Sequence, residues 1–325
     1  MPRTLLVFLH CLLVATPLLA RADWYQREEA IMGTRVAVEL WAEDPALAAR
    51  AMAAVIAEMH RTDELMSTYK PASQLSRVNA EAHARPVVVD PEIVDIVAKS
   101  FEFSRLSDGA FDVTYASVGY LYDYRAHARP TAEQVAAALP GVDYRQVEVD
   151  RERNTIRFLR KGVRIDLGGI AKGRAVDRGI ETLRALGITN AMVNAGGDTR
   201  LLGDRRGKPW IVGIRDPRND GRMVTRLPLQ DEAISTSGDY ERYFEEDGVR
   251  YHHILVPGTG QSAREVRSAT VIGADATLTD ALSTTVFVLG VERGMALVSR
   301  LPGVEAVVVD RDGRIYYSGG LAPLQ

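Results

Sequence analysis

The chain has 325 residues, of which 46% are hydrophobic and 26% charged, with 27 glycines and 14 prolines. These proportions are typical of a globular protein with a hydrophobic core, and they exclude intrinsic disorder and collagen-like repeats. Forty basic residues against 43 acidic ones give a net charge of −3, so no basic excess indicates a nucleic-acid partner. Cys11 is the only cysteine, which excludes a disulfide scaffold.

The first 22 residues have the pattern of a signal peptide. An apolar run from Leu5 to Ala20 follows Arg3, and Ala20-Arg21-Ala22 supplies the small-x-small pattern that a signal peptidase requires. The run is too short and too broken for a transmembrane helix. We predict a signal peptide over residues 1–22, cleavage before Asp23 and one domain over residues 23–325. The mature protein would be exported, soluble, without a membrane anchor, and periplasmic in a Gram-negative host.

Helices and short strands are predicted in alternation along the first half of the domain. In chain order they are a strand over Thr34–Trp41, a helix from Pro45 to about Met66, a loop over Ser67–Arg85, a helix from Asp90 to about Leu106, a short helix over Thr131–Leu139, strands over Val147–Val149, Thr155–Leu159 and Val163–Asp166, and a helix from Ile170 to about Leu186.

The second half is richer in predicted strands. They are Ala191–Asn194, Trp210–Ile214, Val224–Leu229, Ile254–Val256 and Ala269–Ile272, followed by helices over Asp275–Leu289 and Glu292–Ser299 and a hairpin of Val307–Val309 with Ile315–Tyr317. Because turns join many of the strands, the order favours a mixed α+β fold with largely antiparallel sheets over a doubly wound parallel sheet.

A glycine-rich segment is the first candidate for chemistry. Residues 166–173 read Asp-Leu-Gly-Gly-Ile-Ala-Lys-Gly and join a predicted strand to a predicted helix. A helix start of this kind attracts phosphate, and Lys172 would add a point charge; glycines in such a turn also serve geometry alone. The segment Asn194–Asp198 has the same two interpretations.

A carboxylate and two hydroxyls form the second candidate. Asp280 and Thr284 lie four residues apart and therefore share one helix face, with Ser283 beside them. Hard oxygen ligands of this kind suit Mg²⁺ shared with substrate phosphates. The alternative is that Thr284 bonds back to its own helix while Asp280 is solvated.

The adjacent histidines His252 and His253 form the third candidate. Neighbouring residues on a strand point to opposite faces, so at most one of them faces a given site. An inward histidine would suit a general base, or it would be an ordinary half-buried, hydrogen-bonded residue.

Together and in this order, the motifs resemble the FAD:protein FMN transferase family, the ApbE-type flavin transferases. The matching segments span nearly the whole mature chain and are Met32–Thr34, Met66–Tyr69 with Ser73, Ser76 and Asn79, Gly109–Thr114, Asp166–Gly173, Asn194–Asp198, Ala233–Gly238, His253–Ile254 and Ser268–Thr284.

The resemblance implies a single two-lobed domain related to tetrahydropterin-binding enzymes, with FAD held between its halves. It implies FAD contacts from Met32, Tyr69, Ala110, Phe111, Asp112, Asp166, Lys172 and Ile254. It implies a Mg²⁺ site made by the Gly169 carbonyl, Asp280 and Thr284, with Ser283 as a further candidate ligand. His253, as general base, and Asp280 would be the catalytic residues.

The implied reaction is Mg²⁺-dependent transfer of FMN from FAD to a Ser or Thr hydroxyl of an exported flavoprotein, with release of AMP. The acceptor would carry a motif like Asp-Gly-x-Ser/Thr-Gly-Ala-Thr. This chain has Val256 and Gly258 where the family has an acid and an arginine. That departure keeps two alternatives open, a Mg²⁺-dependent FAD pyrophosphatase and a non-catalytic periplasmic FAD-binding protein.

Overall fold

A computed structural model describes residues 22–219 and 221–321, so the predicted signal peptide lies outside the described residues apart from Ala22. The α-helices of this part are α1 (Pro45–Met66), α2 (Gln74–Glu81), α3 (Pro91–Leu106), α4 (Ala116–Gly119), α5 (Ala132–Ala138), α6 (Ala171–Ala185) and α7 (Ala276–Val298).

The strands of the first half are β1 (Asp23–Ile31), β2 (Thr34–Ala42), β3 (Val87–Val88), β4 (Val147–Asp150), β5 (Thr155–Phe158), β6 (Ala191–Ala195) and β7 (Asp198–Leu202). They continue with β8 (Trp210–Arg215), β9 (Met223–Leu229), β10 (Ala233–Gly238), β11 (Tyr243–Glu246), β12 (Val249–His252), β13 (Leu255–Val256), β14 (Gln261–Ser262), β15 (Val266–Gly273), β16 (Glu305–Asp310) and β17 (Ile315–Tyr317).

One large sheet organises the molecule. Its eight strands run in the order β1-β2-β6-β7-β10-β15-β16-β17, and every neighbouring pair is antiparallel. Shorter ladders pair β3 with β5 and β5 with β4, β8 with β9, β11 with β12, and β13 with β14. The predicted mixed α+β class with largely antiparallel sheets is confirmed.

Both faces of the large sheet are covered. Helices α1, α6 and α7 pack side by side on one face, and the β8–β9 hairpin buries Trp210, Ile214 and Leu229 against apolar side chains of the other face. Burial on both faces accounts for the unbroken apolar run of residues 306–309 in β16 and for the nearly complete burial of β15. Helix α7 is long and apolar enough to cross a membrane, with a mean hydropathy of 1.4, but 56% of its most apolar window is buried. It therefore has the character of a core helix.

Capping and periodicity explain why the long helices were predicted well. Asp44 accepts a hydrogen bond from the Ala46 amide at 2.9 Å, and Pro45 occupies the first turn of α1. Asp275 caps α7 in the same way, accepting from the Leu278 amide at 2.8 Å. The two helices predicted after Asp275 are both present within α7, one on each side of Gly290, whose φ of 79° lies in the left-handed region and breaks the helical backbone.

The predicted loop over residues 67–85 is wrong in its second half, because it contains α2. The Ser73 hydroxyl caps this helix by accepting from the Ser76 amide at 3.0 Å. Helix α2 has eight residues and buries little beyond Leu75 and Val78, so its hydrophobic period is too short to stand out from a polar segment.

The predicted strand over residues 163–166 is also wrong, although its backbone is held as a strand would be. The Asn79 amide takes the place of a neighbouring strand, accepting from Ile165 N at 2.8 Å and donating to Ile165 O at 2.9 Å. The next amide, Asp166 N, donates to the Val113 carbonyl at 2.9 Å. Side-chain bonds of this kind leave no pattern in the strand itself.

Candidate active site

The start of α6 packs directly against the start of α7, and Gly173 makes this contact possible. A Cβ atom at Gly173 would lie 2.1 Å from the Ala276 carbonyl oxygen and 2.8 Å from the Asp280 Cβ. The Gly173 amide donates to Asp280 Oδ2 at 2.9 Å. The last glycine of the 166–173 segment therefore serves helix packing, and it brings the two predicted sites together.

Three charged side chains meet at this contact. The Lys172 ammonium bonds to Asp198 Oδ2 and lies 3.6 Å from Asp280 Oδ1, and both carboxylates are almost fully buried. Burial disfavours the charge of Lys172, but the two carboxylates outweigh it and raise the pKa of the ammonium. Burial and the adjacent Asp198 raise the pKa of the Asp280 carboxyl. One lysine thus shares its charge between two acids, and the cluster has a net charge of −1 when both are ionised.

Three hydroxyls lie next to Asp280. Ser237 Oγ, on β10, lies 2.9 Å from Ser283 Oγ and 3.1 Å from Thr284 Oγ1. Thr284 Oγ1 and Phe111 Cε2 would each lie 3.3 Å from a Cβ at Gly169, so the glycine turn passes against this face of α7. Asp280 is buried and bonded, so the alternative of a solvated carboxylate is wrong.

The two histidines differ in their surroundings. His252 ends β12 and is buried, with Nε2 2.6 Å from the Ala263 carbonyl and Nδ1 accepting from Ile254 N at 3.3 Å. His253 Nδ1 is buried without a hydrogen-bond partner in the described part of the chain. Burial, followed by the positive charge of Arg242, lowers the pKa of His253 to about 3. The His253 imidazole is therefore neutral.

The segment Ala110–Asp112 is a hydrogen-bonded loop beside the glycine turn. Phe111 is buried next to Gly169, and Ala110 is half-buried. The Asp112 carboxylate accepts bonds from Thr114 N at 2.8 Å and Tyr144 N at 2.9 Å, and burial raises its pKa. Both oxygens of Asp112 are thus engaged in holding the loop, which positions Phe111 and Ala110.

The remaining predicted FAD contacts lie on separate loops. Asp166 links two of them, because its carboxylate accepts from Gly168 N at 2.7 Å and from the Thr68 hydroxyl at 2.9 Å. Tyr69, in the second loop, is 74% exposed. Met32 occupies the β1–β2 turn with a left-handed φ of 55°, and Ile254 is buried beside His252.

The ApbE family model matches residues 32–308, which is most of the chain. The chain belongs to the ApbE family. It is 33% identical to the FAD:protein FMN transferase of Treponema pallidum over 321 residues, covering 93% of this chain and 89% of that protein. It is 36% identical to that of Vibrio cholerae over 276 residues, covering 82% and 81%.

Solved structures agree with this assignment. The ApbE protein of Thermotoga maritima has a TM-score of 0.85 at 35% identity and covers 92% of this chain and 98% of its own. The flavin transferase ApbE of Vibrio cholerae has a TM-score of 0.82 at 30% identity, covering 94% and 100%. The family and the fold class expected from the motifs are confirmed.

The oxygen donors at the start of α7 and in the neighbouring glycine turn are of the kind that suits a magnesium ion. Within residues 22–219 and 221–321, no group of three or more His, Cys, Asp or Glu side chains could hold a metal. Mg²⁺ does not need one, because it binds through one or two carboxylates, water and substrate phosphates. The site offers oxygen donors of the required kind, namely the Asp280 carboxylate, the Thr284 and Ser283 hydroxyls and the Gly169 carbonyl. Lys172 offsets only part of the negative charge of Asp280.

Three residues of this ApbE site were absent from the predicted set. Asp198 follows the tight β6–β7 turn, and its motif gave no sign that it would reach Lys172. Ser237 lies within the Ala233–Gly238 motif, where its alternation on a strand could have marked it as facing α7. Arg242 lies in the loop between β10 and β11, and no spacing rule connects it to the site.

Proposed function

We propose that the protein is a Mg²⁺-dependent FAD:protein FMN transferase that moves FMN from FAD to a Ser or Thr hydroxyl of an exported flavoprotein and releases AMP. The observation that carries the proposal is the meeting of the glycine turn, Lys172 and the Asp280–Thr284 face at the start of two helices. Relatives named FAD:protein FMN transferase, at 33% and 36% identity over most of the chain, support the same reaction.

The reaction is a displacement at phosphorus. The acceptor oxygen forms a bond to the FMN-side phosphorus, the bond from that phosphorus to the bridging oxygen breaks, and AMP leaves with the bridging oxygen. The acceptor hydroxyl loses its proton in the same step. Holding the diphosphate and the hydroxyl in line, and balancing the negative charge between them, is most of what such a site has to supply.

His253 is the residue proposed to take the proton. Among residues 22–219 and 221–321 its Nδ1 has no hydrogen-bond partner, and the neutral ring can accept a proton there. Its pKa of about 3 belongs to a site without substrate, where burial and Arg242 disfavour the imidazolium. A bound diphosphate adds negative charge nearby and raises that pKa, so the base gains strength when FAD is in place.

Asp280, Thr284 and the Gly169 carbonyl would hold the magnesium ion, with Ser283 as a further candidate. When bound, Mg²⁺ supplies positive charge against the diphosphate. The chain's own residues set this position: the Gly173 amide orients Asp280 Oδ2, and Ser237 lies within hydrogen-bond distance of the Thr284 hydroxyl. Lys172 stays between Asp198 and Asp280 and limits the repulsion between them.

The direct test uses the protein with FAD, Mg²⁺ and an acceptor domain carrying an Asp-Gly-x-Ser/Thr-Gly-Ala-Thr motif. We expect a covalent fluorescent flavin adduct on the acceptor and one AMP for each adduct. AMP release without acceptor would instead indicate a pyrophosphatase, and FAD binding with no AMP under any condition would indicate a binding protein.

The metal proposal has its own test. Asp280→Ala should abolish transfer while keeping much of the FAD affinity, because the ion contributes chiefly to charge in the transition state. Thr284→Ala should be milder, since a neutral ligand is lost. Full activity of Asp280→Ala in excess Mg²⁺, or of the wild type in EDTA, would refute the assignment.

Export and the periplasmic location are part of the proposal because enzyme and acceptor must share a compartment. The mature N-terminus is the observable, and we expect Asp23 within a residue or two. An unprocessed chain starting at Met1 and found wholly in the cytoplasm would contradict export and leave the chemistry untouched.

A further inference from the structure

Arg242 lies where three loops of the candidate site meet. Its Nη1 donates to the Tyr69 hydroxyl at 3.3 Å, and its Nη2 lies 3.8 Å from where a Cβ of Gly33 would stand. Its carbonyl accepts from the His253 amide at 3.2 Å. The residue thus lies beside the turn that holds Met32 and bonds to the loop of Tyr69 and the segment of His253, each of which carries a predicted catalytic or FAD-binding residue.

The guanidinium of Arg242 is exposed and has no carboxylate within 4 Å among residues 22–219 and 221–321. Arginines of the neighbouring β11–β12 hairpin region are paired in the ordinary way: Arg250 with Asp239 at 3.3 Å and Glu245 at 2.9 Å, and Arg129 with Glu246 at 2.5 Å. Arg242 therefore differs from these neighbours in having its donors available to an anion.

The electrostatic surroundings of Arg242 also favour an anion. Its charge acts on the Lys172 ammonium and the His253 imidazole and disfavours a proton on each. The Lys172 ammonium is already shared between Asp198 and Asp280, so of these two cations it is Arg242 that has donors left for an added anion. The guanidinium carbon lies 5.7 Å from the centroid of the Tyr69 ring, within the range of a cation–π contact.

The net charge of the site indicates how much negative charge the bound anion carries. Lys172 with ionised Asp198 and Asp280 has a net charge of −1, and a divalent cation changes this to +1. The diphosphate of a dinucleotide carries two negative charges, so one further cation balances it. A planar guanidinium with several donors matches phosphate oxygens well.

We propose that Arg242 binds a phosphate oxygen of the FAD diphosphate and is a specificity-determining residue for the dinucleotide over flavins without phosphate. The inference rests on the proposed function in that FAD is the substrate, but it concerns binding and not transfer. The test therefore measures equilibrium affinity and does not depend on turnover.

The experiment compares the wild type with Arg242→Ala and Arg242→Lys, using Arg129→Ala as the matched control. Affinities for FAD, ADP and riboflavin are measured by calorimetry or flavin fluorescence at fixed ionic strength. Loss of a charge-assisted hydrogen bond to phosphate should weaken FAD and ADP binding about tenfold or more in Arg242→Ala. Riboflavin affinity should stay unchanged, Arg242→Lys should recover part of the loss, and Arg129→Ala should match the wild type.

Unchanged FAD and ADP affinities in Arg242→Ala would overturn the proposal. A loss of riboflavin affinity equal to that for FAD would also overturn it, because Arg242 would then act only by positioning Tyr69. A wild-type protein that binds FAD but transfers no FMN would refute the transfer reaction and leave this binding result standing.

Discussion

Replacing Gly173 by alanine tests whether the contact between α6 and α7 sets the geometry of the site. The new Cβ would lie 2.1 Å from the Ala276 carbonyl oxygen and 2.6 Å from its carbon. These are backbone atoms, so no rotamer change relieves the clash. A carbon and an oxygen in contact need more than 3.0 Å, so one helix start must move by about 1 Å, and displacements of that size can cost about 100-fold in rate.

The same movement should break the 2.9 Å hydrogen bond from the Gly173 amide to Asp280 Oδ2, because a separation of about 3.6 Å no longer makes one. Overpacking of this kind costs about 1–3 kcal/mol in the free energy of unfolding, so the variant should remain folded. We expect FMN transfer to fall about 100-fold while circular dichroism and thermal unfolding still show a cooperative native state.

Gly179→Ala is the matched control on the same helix. Its Cβ would meet methyl groups, Val55 Cγ1 at 3.0 Å, Val193 Cγ1 at 3.3 Å and Met59 Cε at 3.4 Å, and these can shift. Transfer by this variant should match the wild type. Wild-type transfer by Gly173→Ala, or an equal loss in both variants, would refute the reasoning.

Two further predictions concern stability. Asp177 Oδ1 accepts from Arg200 Nη1 at 2.6 Å, and the same carboxylate accepts from two backbone amides at the start of α7. Asp177→Asn should lower the free energy of unfolding by about 3 kcal/mol, because the buried Arg200 charge loses its partner. An unchanged urea midpoint would contradict this. Burial lowers the pKa of His252 from 6.5 to about 4. Between these two pH values the unfolded state binds a proton on this histidine and the folded state does not. The free energy of unfolding should therefore fall by about 1.4 kcal/mol per pH unit as the pH drops from 6.5 to 4. His252→Gln should flatten that slope by about one proton, and equal slopes in both proteins would show that His252 does not titrate in this way.

The long helices could be predicted because their signals are local. Helix α1 begins at Pro45 and ends at Met66, as predicted, since the Asp44 cap and the apolar spacing both lie within the segment. Strand β1 gave no such signal, because it lies at the sheet edge and its central residues, Gln26–Glu29, are all polar or charged. Strand β7 was recognised only as the end of a glycine turn, since its five residues are nearly all buried and do not alternate.

The site was harder to predict because its parts are distant in sequence. Gly173 and Asp280 are 107 positions apart, and only the family resemblance, not spacing, suggested that their segments meet. The residue types were informative: a carboxylate followed by hydroxyls on an apolar helix indicated a metal or a buried partner. The Lys172–Asp198 pair could not be foreseen, because the β6–β7 turn and α6 come together only when the sheet forms.

The two edge strands of the large sheet disfavour pairing with a further strand. Strand β1 presents charged side chains engaged in ion pairs, including Glu28 with Arg35 and Arg27 with Glu29, and β17 at the other edge has only three residues. An approaching strand would have to displace the ion pairs of β1, and at the other edge it would find only the three residues of β17 to pair with. Charged edges and short edge strands are two ways in which natural sheets avoid edge-to-edge association. The protein should therefore resist aggregation by sheet extension even where it accumulates to high concentration.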